Sequence, residues 1–389
     1  MRVRIGIIGL GYVGLPLAVS FAKKFEVYGM DLNRDRIVGL KKFNDNTGEI
    51  KHSELKKTVK NKLHLTNKIQ DLKTCNVIIV TVPTPVKKNK SPDLSSIIKA
   101  TKSLSLILKK GDTVVYESTV YPGLTEEVCV PIIEENTNFK FNKDFYVGYS
   151  PERINPGDKE HTISDIVKVT SGSNKEASLW INKFYGSIIS AGTYEAQSIK
   201  IAEAAKIIEN TQRDINIALI NELSIIFRKL NLNSKAIIDA ASTKWNFHRY
   251  EPGLVGGHCI STDPYYLTYI SKKNKYSPKI ILSGRKLNDN MYKWVFKNII
   301  KLLKKRNSKK KIKVLILGLT FKENCPDIRN SQLIELLTMF ARKNMLVNAY
   351  DPYVNKLSLN KSRYSNKIRI LKKLPHFKRK FNVIIIGVK

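Results

Sequence analysis

The hydrophobic positions of this chain fall into short apolar runs separated by stretches of helical spacing. Residues 3–8, Val-Arg-Ile-Gly-Ile-Ile, form an apolar run bounded by glycines and predict a buried parallel strand. Helical sequence follows from Gly14, with Leu15, Leu17, Ala18 and Phe21 turned inward, and Glu26–Met30 predicts a second strand ending at Asp31. Residues 76–82 and 113–116 continue the pattern, each followed by a turn and then helical sequence. Strands alternating with helices in this way predict an α/β fold built on a doubly wound parallel sheet.

The period then changes. From Glu195 to Lys229 alanines and isoleucines recur at helical spacing, and more helical sequence follows to about residue 305. Residues 313–318 open a second strand–turn–helix module, 346–351 supply its next strand, and 382–387 form another buried-strand run. The expected architecture is two Rossmann-like parallel-sheet domains joined by a long central helix and a helical middle. Its domains are residues 1–194, 195–305 and 306–389.

Length and composition add bounds. A chain of 389 residues with 42% hydrophobic content fits two or three domains with a real core. The formal net charge of +35 is the footprint expected of a nucleic-acid or anionic-membrane binder. The lysines are spread along the chain, however, and the densest run, 304–311, falls where a linker is expected. That spread reads as a solvated surface, so no nucleic-acid or membrane partner is expected. Residues 5–22 mimic a signal peptide, but glycines at 6, 9, 11 and 14 and Pro16 interrupt the run. No other apolar stretch is long enough to span a bilayer. Cys75, Cys129, Cys259 and Cys325 are scattered without a C-x-x-C pair, which predicts neither a metal site nor a disulfide framework and fits the cytoplasm.

Two features carry chemistry. Gly9-Leu10-Gly11-Tyr12-Val13-Gly14 follows a strand and opens a helix. Gly9 permits a tight turn, Gly11 close approach of a pyrophosphate and Gly14 close helix packing, with the phosphates at the helix N-terminus. Asp31 ends the next strand, where it suits the ribose hydroxyls of NAD, while Arg36 suits either the adenosine side or a 2′-phosphate. The second feature is Cys259, set in Pro252-Gly253-Leu254-Val255-Gly256-Gly257-His258-Cys259 with Asp263 four residues on. A thiolate in a glycine turn can add to an aldehyde and hold the product. A cysteine in such a turn is also an ordinary structural residue.

Further segments occur in register with these two: Val82-Pro83-Thr84-Pro85, Glu117-Ser118-Thr119 through Gly123, Ser150-Pro151-Glu152-Arg153-Ile154, residues 202–213, and residues 321–331. In this order they resemble the UDP-glucose/GDP-mannose dehydrogenase family across essentially the whole chain. Gly256-Gly257-His258-Cys259-Ile260 followed by Asp263-Pro264-Tyr265-Tyr266 resembles the branch acting on UDP-N-acetylhexosamines. The 117–156 and 244–247 stretches look closest to the UDP-N-acetylglucosamine 6-dehydrogenases of Vi-type polysaccharide synthesis.

The resemblance implies a four-electron oxidation of the sugar C6 alcohol to a carboxylate with two NAD+, through a thiohemiacetal and a thioester on Cys259. It gives Lys206 the developing oxyanion, with Asn210 one helical turn on to support it. Asp263 would hold the water or the lysine, Glu152 would be the acid/base for hydrolysis, and Thr119 would anchor the water or the nicotinamide end. It places Gly9, Gly11, Tyr12, Val13, Gly14, Asp31, Arg36, Thr84, Thr119 and Arg329 on the cofactor. Arg153, Ile154, Lys206, Asn210, Arg213, Lys244, Gly256 and Lys322 would meet the UDP-sugar, and a homodimer would form through the central helix.

Three departures stand out. Ser261-Thr262 replaces the usual Gly or Pro and then Val, which predicts crowding or an altered pKa at the thiolate. His248-Arg249-Tyr250 replaces a more apolar stretch. Lys389 falls inside what the resemblance makes the last sheet, so the third domain is expected to be cut short. The rival readings are a weakened relative that binds both ligands and turns over poorly, a basic nucleic-acid binder, and a two-electron hydroxy-acid dehydrogenase that needs no thiol.

Overall fold

The computed structural model describes residues 2–154, 160–304, 312–354, 365–375 and 381–388. The basic run at 305–311 and Pro156 lie outside them. By compactness the chain divides into two units, Met1–Glu209 with Tyr265–Tyr276, and Asn210–Pro264 with Ser277–Lys389.

The first unit begins β1 (Arg4–Ile8), α1 (Gly14–Ala22), β2 (Glu26–Met30), α2 (Arg34–Lys41), α3 (His52–Val59), β3 (Leu63–Thr66) and β4 (Val77–Val80). It continues with α4 (Ser95–Ser105), β5 (Thr113–Tyr116), α5 (Val130–Thr137), β6 (Tyr146–Tyr149), β7 (Lys168–Gly172), α6 (Lys175–Gly186) and β8 (Thr193–Glu195). The strands form one eight-stranded sheet in the order β3-β2-β1-β4-β5-β6-β7-β8. Alternation puts Ile5, Ile7, Val77 and Ile79 on one face, packed with the apolar side of α1 and with Phe184 and Tyr185 of α6. Ile78, Val80, Val114 and Tyr116 face the other way, against α4 and α5. Both faces are covered, which is why these strands read as unbroken apolar runs.

All neighbouring strands in this sheet are parallel except β6 and β7, which pair antiparallel. The described residues between those two strands hold no helix, whereas parallel pairing needs a crossover that is usually one. The predicted helix start at Glu195 is also moved. Residues 193–195 pair with β7 instead, and α7 (Ile199–Lys229) begins where Ser198 Oγ accepts the Ile201 N–H at 3.2 Å.

The second unit takes up the rest of α7, then α8 (Ser234–Ala241). Asp263 opens α9 (Asp263–Lys273), most of which belongs to the first unit. Then come α10 (Lys279–Lys304), β9 (Lys313–Leu317), α11 (Gln332–Arg342), β10 (Leu346–Tyr350), β11 (Ile368–Ile370) and β12 (Val383–Ile386). Its parallel sheet runs β11-β10-β9-β12, with Val314 and Ile316 packed on Leu333, Leu336, Leu337 and Phe340 of α11. A buried ion pair ties α7 to α10: Arg285 Nη1 meets Asp214 Oδ1 at 2.5 Å, and Asn288 Nδ2 donates to the same oxygen at 2.8 Å. Among the described residues no helix is long and apolar enough to cross a membrane, and no His/Cys/Asp/Glu cluster could hold a metal ion.

Candidate active site

The cofactor side is built by the turn between β1 and α1. Gly9 has φ +100° and its N–H donates to Met30 O at 2.8 Å, so the turn is closed against the end of β2. A Cβ on Gly14 would lie 1.8 Å from Gly9 O, whereas one on Gly11 would meet nothing within 4 Å. Position 14 must be glycine for packing, and position 11 leaves an open cradle. The N-terminus of α1 carries no side-chain cap and no acid in its first turn, so its N–H groups remain suited to an anion. Tyr12 and Val13 are half-buried along this turn.

Asp31 anchors the far wall: Oδ2 accepts the Leu10 N–H at 2.9 Å and Oδ1 that of Asn33 at 2.8 Å. Arg36 faces the turn and is buried. Its Nε donates to Leu10 O at 2.9 Å and Nη1 to Asp45 at 2.7 Å, with Asn46 as a further partner. Thr84 and Thr119 are brought together, Thr84 Oγ1 donating to Thr119 O at 2.6 Å. These residues fit a dinucleotide of the NAD type.

The first unit also holds Glu152 just past β6. Its Oε1 accepts the N–H groups of Arg153 and Ile154, each at 2.7 Å, and its Oε2 the Lys168 ammonium at 2.7 Å. Burial opposes charge on this carboxyl, but Lys168 and the backbone donors more than offset it and hold it below the usual carboxylate range. The Arg153 guanidinium turns to Glu209 at 2.9 Å and to Val167 O at 2.9 Å. Lys206 is buried on α7 with Asn210 one turn on.

The thiol side is built wholly within the second unit. Asn221 and Gly253 exchange two hydrogen bonds, of 3.0 and 2.9 Å, at the start of the turn. Gln332 Nε2 donates to Val255 O at 2.8 Å, Gly257 N–H to Arg329 O at 3.2 Å, and Asn330 Nδ2 to Gly257 O at 2.9 Å. Gly257 has φ +80°, and a Cβ there would lie 2.7 Å from the Phe321 ring. The 321–332 segment therefore clasps the turn so closely that only glycine fits. Asp263 N–H donates to Cys259 O at 2.8 Å, and Asp263 Oδ2 accepts from Asn210 Nδ2 at 2.6 Å, with both side chains buried. Cys259 is half-exposed, while Cys75, Cys129 and Cys325 are buried. Burial pushes the Cys75 and Cys129 thiols up to about 12.

The hydroxyls of Ser261 and Thr262 are spent on the turn itself. Ser261 Oγ donates to Gly257 O at 2.5 Å and Thr262 Oγ1 to His258 O at 2.6 Å. Beneath the turn, Arg329 grips Asp327 with Nε at 3.0 and 2.9 Å and Nη2 at 2.5 Å, and His258 Nδ1 lies 3.4 Å from the same carboxylate. Burial works against the Asp327 charge, but His258 and Arg329 hold its carboxyl well below the usual range. Gly256 and Lys322 are half-buried within this clasp. Arg213 and Lys244 are exposed, and Arg249 pairs with Asp239 and Glu251 on the surface.

Sequence reading missed the partners of these residues. Glu117 stands two places before Thr119 in a segment already singled out, but Lys168 has no flanking motif. Glu203, completely buried, accepts the N–H groups of Gly123 at 2.5 Å and Thr125 at 3.0 Å, and so pins the segment after Thr119.

The chain matches the UDP-glucose/GDP-mannose dehydrogenase family models for the NAD binding domain at residues 3–189, the central domain at 200–290 and the UDP binding domain at 315–389. It is 54% identical to a UDP-N-acetyl-D-glucosamine 6-dehydrogenase of Pseudomonas aeruginosa, over 90% of this chain and 83% of that protein. It is also 54% identical to one of Salmonella typhi, over 91% and 83%. The solved structure of a UDP-D-ManNAc dehydrogenase from Pyrococcus horikoshii superposes with a TM-score of 0.83 at 30% identity, covering 99% of each chain. With a dinucleotide turn at one end, a clasped thiol in the middle and the matched domains in the same order, this chain belongs to the UDP-glucose/GDP-mannose dehydrogenase family.

Proposed function

We propose that this chain oxidises C6 of a UDP-N-acetylhexosamine, UDP-N-acetylglucosamine in the first instance, to the uronic acid for surface polysaccharide synthesis. The observation that carries the reading is Cys259: a half-exposed thiol on a turn clasped by residues 321–332, in a chain 54% identical to two UDP-N-acetyl-D-glucosamine 6-dehydrogenases. NAD+, when bound, would supply the hydride acceptor, one molecule for each oxidation. Gly9, Gly11, Tyr12, Val13 and Gly14 offer the pyrophosphate their backbone, and Asp31 takes the ribose. Arg36, whose Nε donates to Leu10 O, is assigned to the adenosine side, Thr84 and Thr119 to the nicotinamide end, and Arg329 to the cofactor.

Once the alcohol is an aldehyde, the Cys259 thiolate adds to its carbonyl carbon and gives a thiohemiacetal. Loss of the second hydride from that carbon, with its hydroxyl proton passing to solvent, leaves a thioester. Lys206, supported by Asn210, carries the charge that builds on oxygen, and Asp263 fixes Asn210. Glu152 then takes a proton from water as its oxygen attacks the thioester; the C–S bond breaks and the thiolate is regenerated. Arg153, Ile154, Arg213, Lys244, Gly256 and Lys322 are assigned to the nucleotide sugar, the cations suiting its diphosphate. The functional division follows residues 1–194, 195–305 and 306–389.

A homodimer through α7 is proposed with this activity. Ile201, Ile208, Leu219 and Ile226 are exposed at spacings of seven, eleven and seven residues, an apolar stripe on one helix face. The cytoplasm is the proposed compartment, supported by four scattered cysteines with no C-x-x-C pair. The test is purified protein with UDP-N-acetylglucosamine and NAD+, with the galacto and manno epimers and UDP-glucose alongside. Two NADH per sugar with UDP-N-acetylglucosamine preferred supports the reading. One NADH per sugar, or turnover confined to UDP-glucose, defeats it.

A further inference from the structure

The first unit buries a lysine between two acids. Lys168 on β7 is 2% exposed, and its Nζ donates to Glu152 Oε2 and to Glu117 Oε2 at 2.7 Å each. The Tyr185 hydroxyl of α6 donates to Glu117 Oε1 at 2.5 Å, and the Lys168 ammonium lies 5.5 Å from the Tyr185 ring centre. The groups facing Glu152 are therefore Lys168 from β7, Glu117 from the end of β5 and Tyr185 behind it. Arg153 beside it is turned to Glu209 of α7.

Stability alone is a poor reason for such a cluster. Desolvating two carboxylates and an ammonium costs several kcal/mol per ion, and a well-packed apolar trio commonly does as well. An ionised carboxylate has roughly four acceptor sites. On Glu152 the Lys168 ammonium and the Arg153 and Ile154 N–H groups fill three. One is left for a proton arriving from water.

We propose that Lys168 and Glu117 are positioning residues for Glu152: the shared ammonium fixes its carboxylate in one orientation and keeps it an anion, so that it serves as a base and not as a proton donor. The inference rests on the role proposed for Glu152 in thioester hydrolysis. The titration directions agree with the geometry. Burial prevails at Glu117 and pushes its carboxyl up; at Glu152 burial is opposed by the Lys168 charge, its hydrogen bond and the Ile154 and Arg153 N–H groups, which together outweigh it and hold the carboxyl below its ordinary value. Two acids on one cation are thus driven apart, as in sites where one carboxyl must stay ionised.

The test uses the full chain with UDP-N-acetylglucosamine and NAD+, comparing wild type with Lys168→Met, Lys168→Arg and Glu117→Gln. The readouts are the NADH burst, the intact mass of acylated Cys259 after rapid quenching, and the pH profile of kcat, with circular dichroism to check folding. Lys168→Met is expected to slow hydrolysis about a hundredfold while the burst persists, so that acyl-enzyme accumulates and the acid limb of kcat moves to higher pH. Lys168→Arg is expected to recover roughly tenfold of that loss, because a guanidinium can still bridge two carboxylates. Glu117→Gln is expected to move the acid limb to lower pH, since Lys168 then serves Glu152 alone. Opposite shifts are the signature of charge balance. Shifts in the same direction, or a folded Lys168→Met that slows burst and hydrolysis equally, would overturn the proposal while leaving the function intact. A wild type that never acylates Cys259 would overturn the function reading and this inference with it.

Discussion

The two sheets of this protein use one backbone device for different ends. In the first unit Gly9 N–H closes on Met30 O at 2.8 Å, and Asp31 Oδ2 accepts the next N–H, from Leu10, at 2.9 Å. In the second unit Gly318 N–H closes on Tyr350 O at 2.8 Å, and Asp351 Oδ2 accepts from Leu319 at 2.7 Å and Thr320 at 3.2 Å. Both glycines have positive φ, +100° and +84°. Beyond these glycines the two chains of events part. After Gly9 the helix begins at Gly14, and its open N-terminus stands close to the strand end. After Gly318 the helix waits until Gln332, and the inserted loop carries Phe321, Arg329 and Asn330 onto the thiol turn. Nine further residues between glycine and helix replace the open turn of the first unit with a segment that clasps the turn carrying Cys259.

That contrast can be broken from either side. Cys259→Ser should produce the largest effect, a loss of uronate formation of about a thousandfold or more. NAD binding followed by fluorescence should remain, and a variant with full turnover would remove the thiol from the mechanism. Gly14→Ala comes next, because its Cβ would collide with Gly9 O at 1.8 Å. We expect roughly 2–4 kcal/mol of lost stability in a denaturant titration, together with lost NAD affinity. Gly11→Ala, where the space is open, should weaken NAD and leave stability alone. Gly257→Ala is the reciprocal change in the second unit. It should lower kcat by roughly ten- to a hundredfold by displacing the sulfur, with the Kd for NAD unchanged.

The smallest effect belongs to the segment after Thr119. Burial outweighs the hydrogen bonds from Thr125 and Gly123 and pushes the Glu203 carboxyl from 4.5 up to about 7. The folded state therefore holds this proton more tightly than the unfolded chain does. Its contribution is complete below about pH 4.5 and is lost as the pH rises through about 7. Glu203→Gln, which keeps one oxygen to accept one of the two N–H groups, should flatten that loss by at most about 3 kcal/mol. The check is the Tm of both proteins at about pH 5 and about pH 8. A variant whose pH dependence parallels wild type would rule the residue out.

The sequence was most legible where one pattern answers to one constraint. Buried parallel strands must be apolar on both faces, so β1, β2, β4, β5, β9 and β10 could be read directly; β12 was expected to be buried as well, but it lies at a sheet edge with Ile384 and Ile386 exposed. The strands β3, β7, β8 and β11 could not, because polar residues break their apolar runs, His64 in β3, Lys168 opening β7, Glu195 closing β8 and Arg369 within β11, and β6 offers only four residues around Gly148. The thiol turn was visible through its glycines, but its clasp was not, since Phe321, Asn330 and Gln332 lie more than sixty residues downstream and their side chains meet the backbone of the turn. Ser261 and Thr262 were expected to disturb the thiolate; their hydroxyls bond to carbonyls of the turn, a geometry no residue pattern announces. Lys168 was hidden by company. In a chain with 68 lysines and arginines, one buried ammonium has no compositional signature.

That same abundance gives Lys168 a practical use. Amine-reactive reagents will modify the solvated lysines quickly, but this side chain, at the start of β7, is buried with two acids on its nitrogen. Its acylation requires the strand to open, so the time course of its labelling would serve as a clock for local unfolding of the sheet that carries the dinucleotide turn.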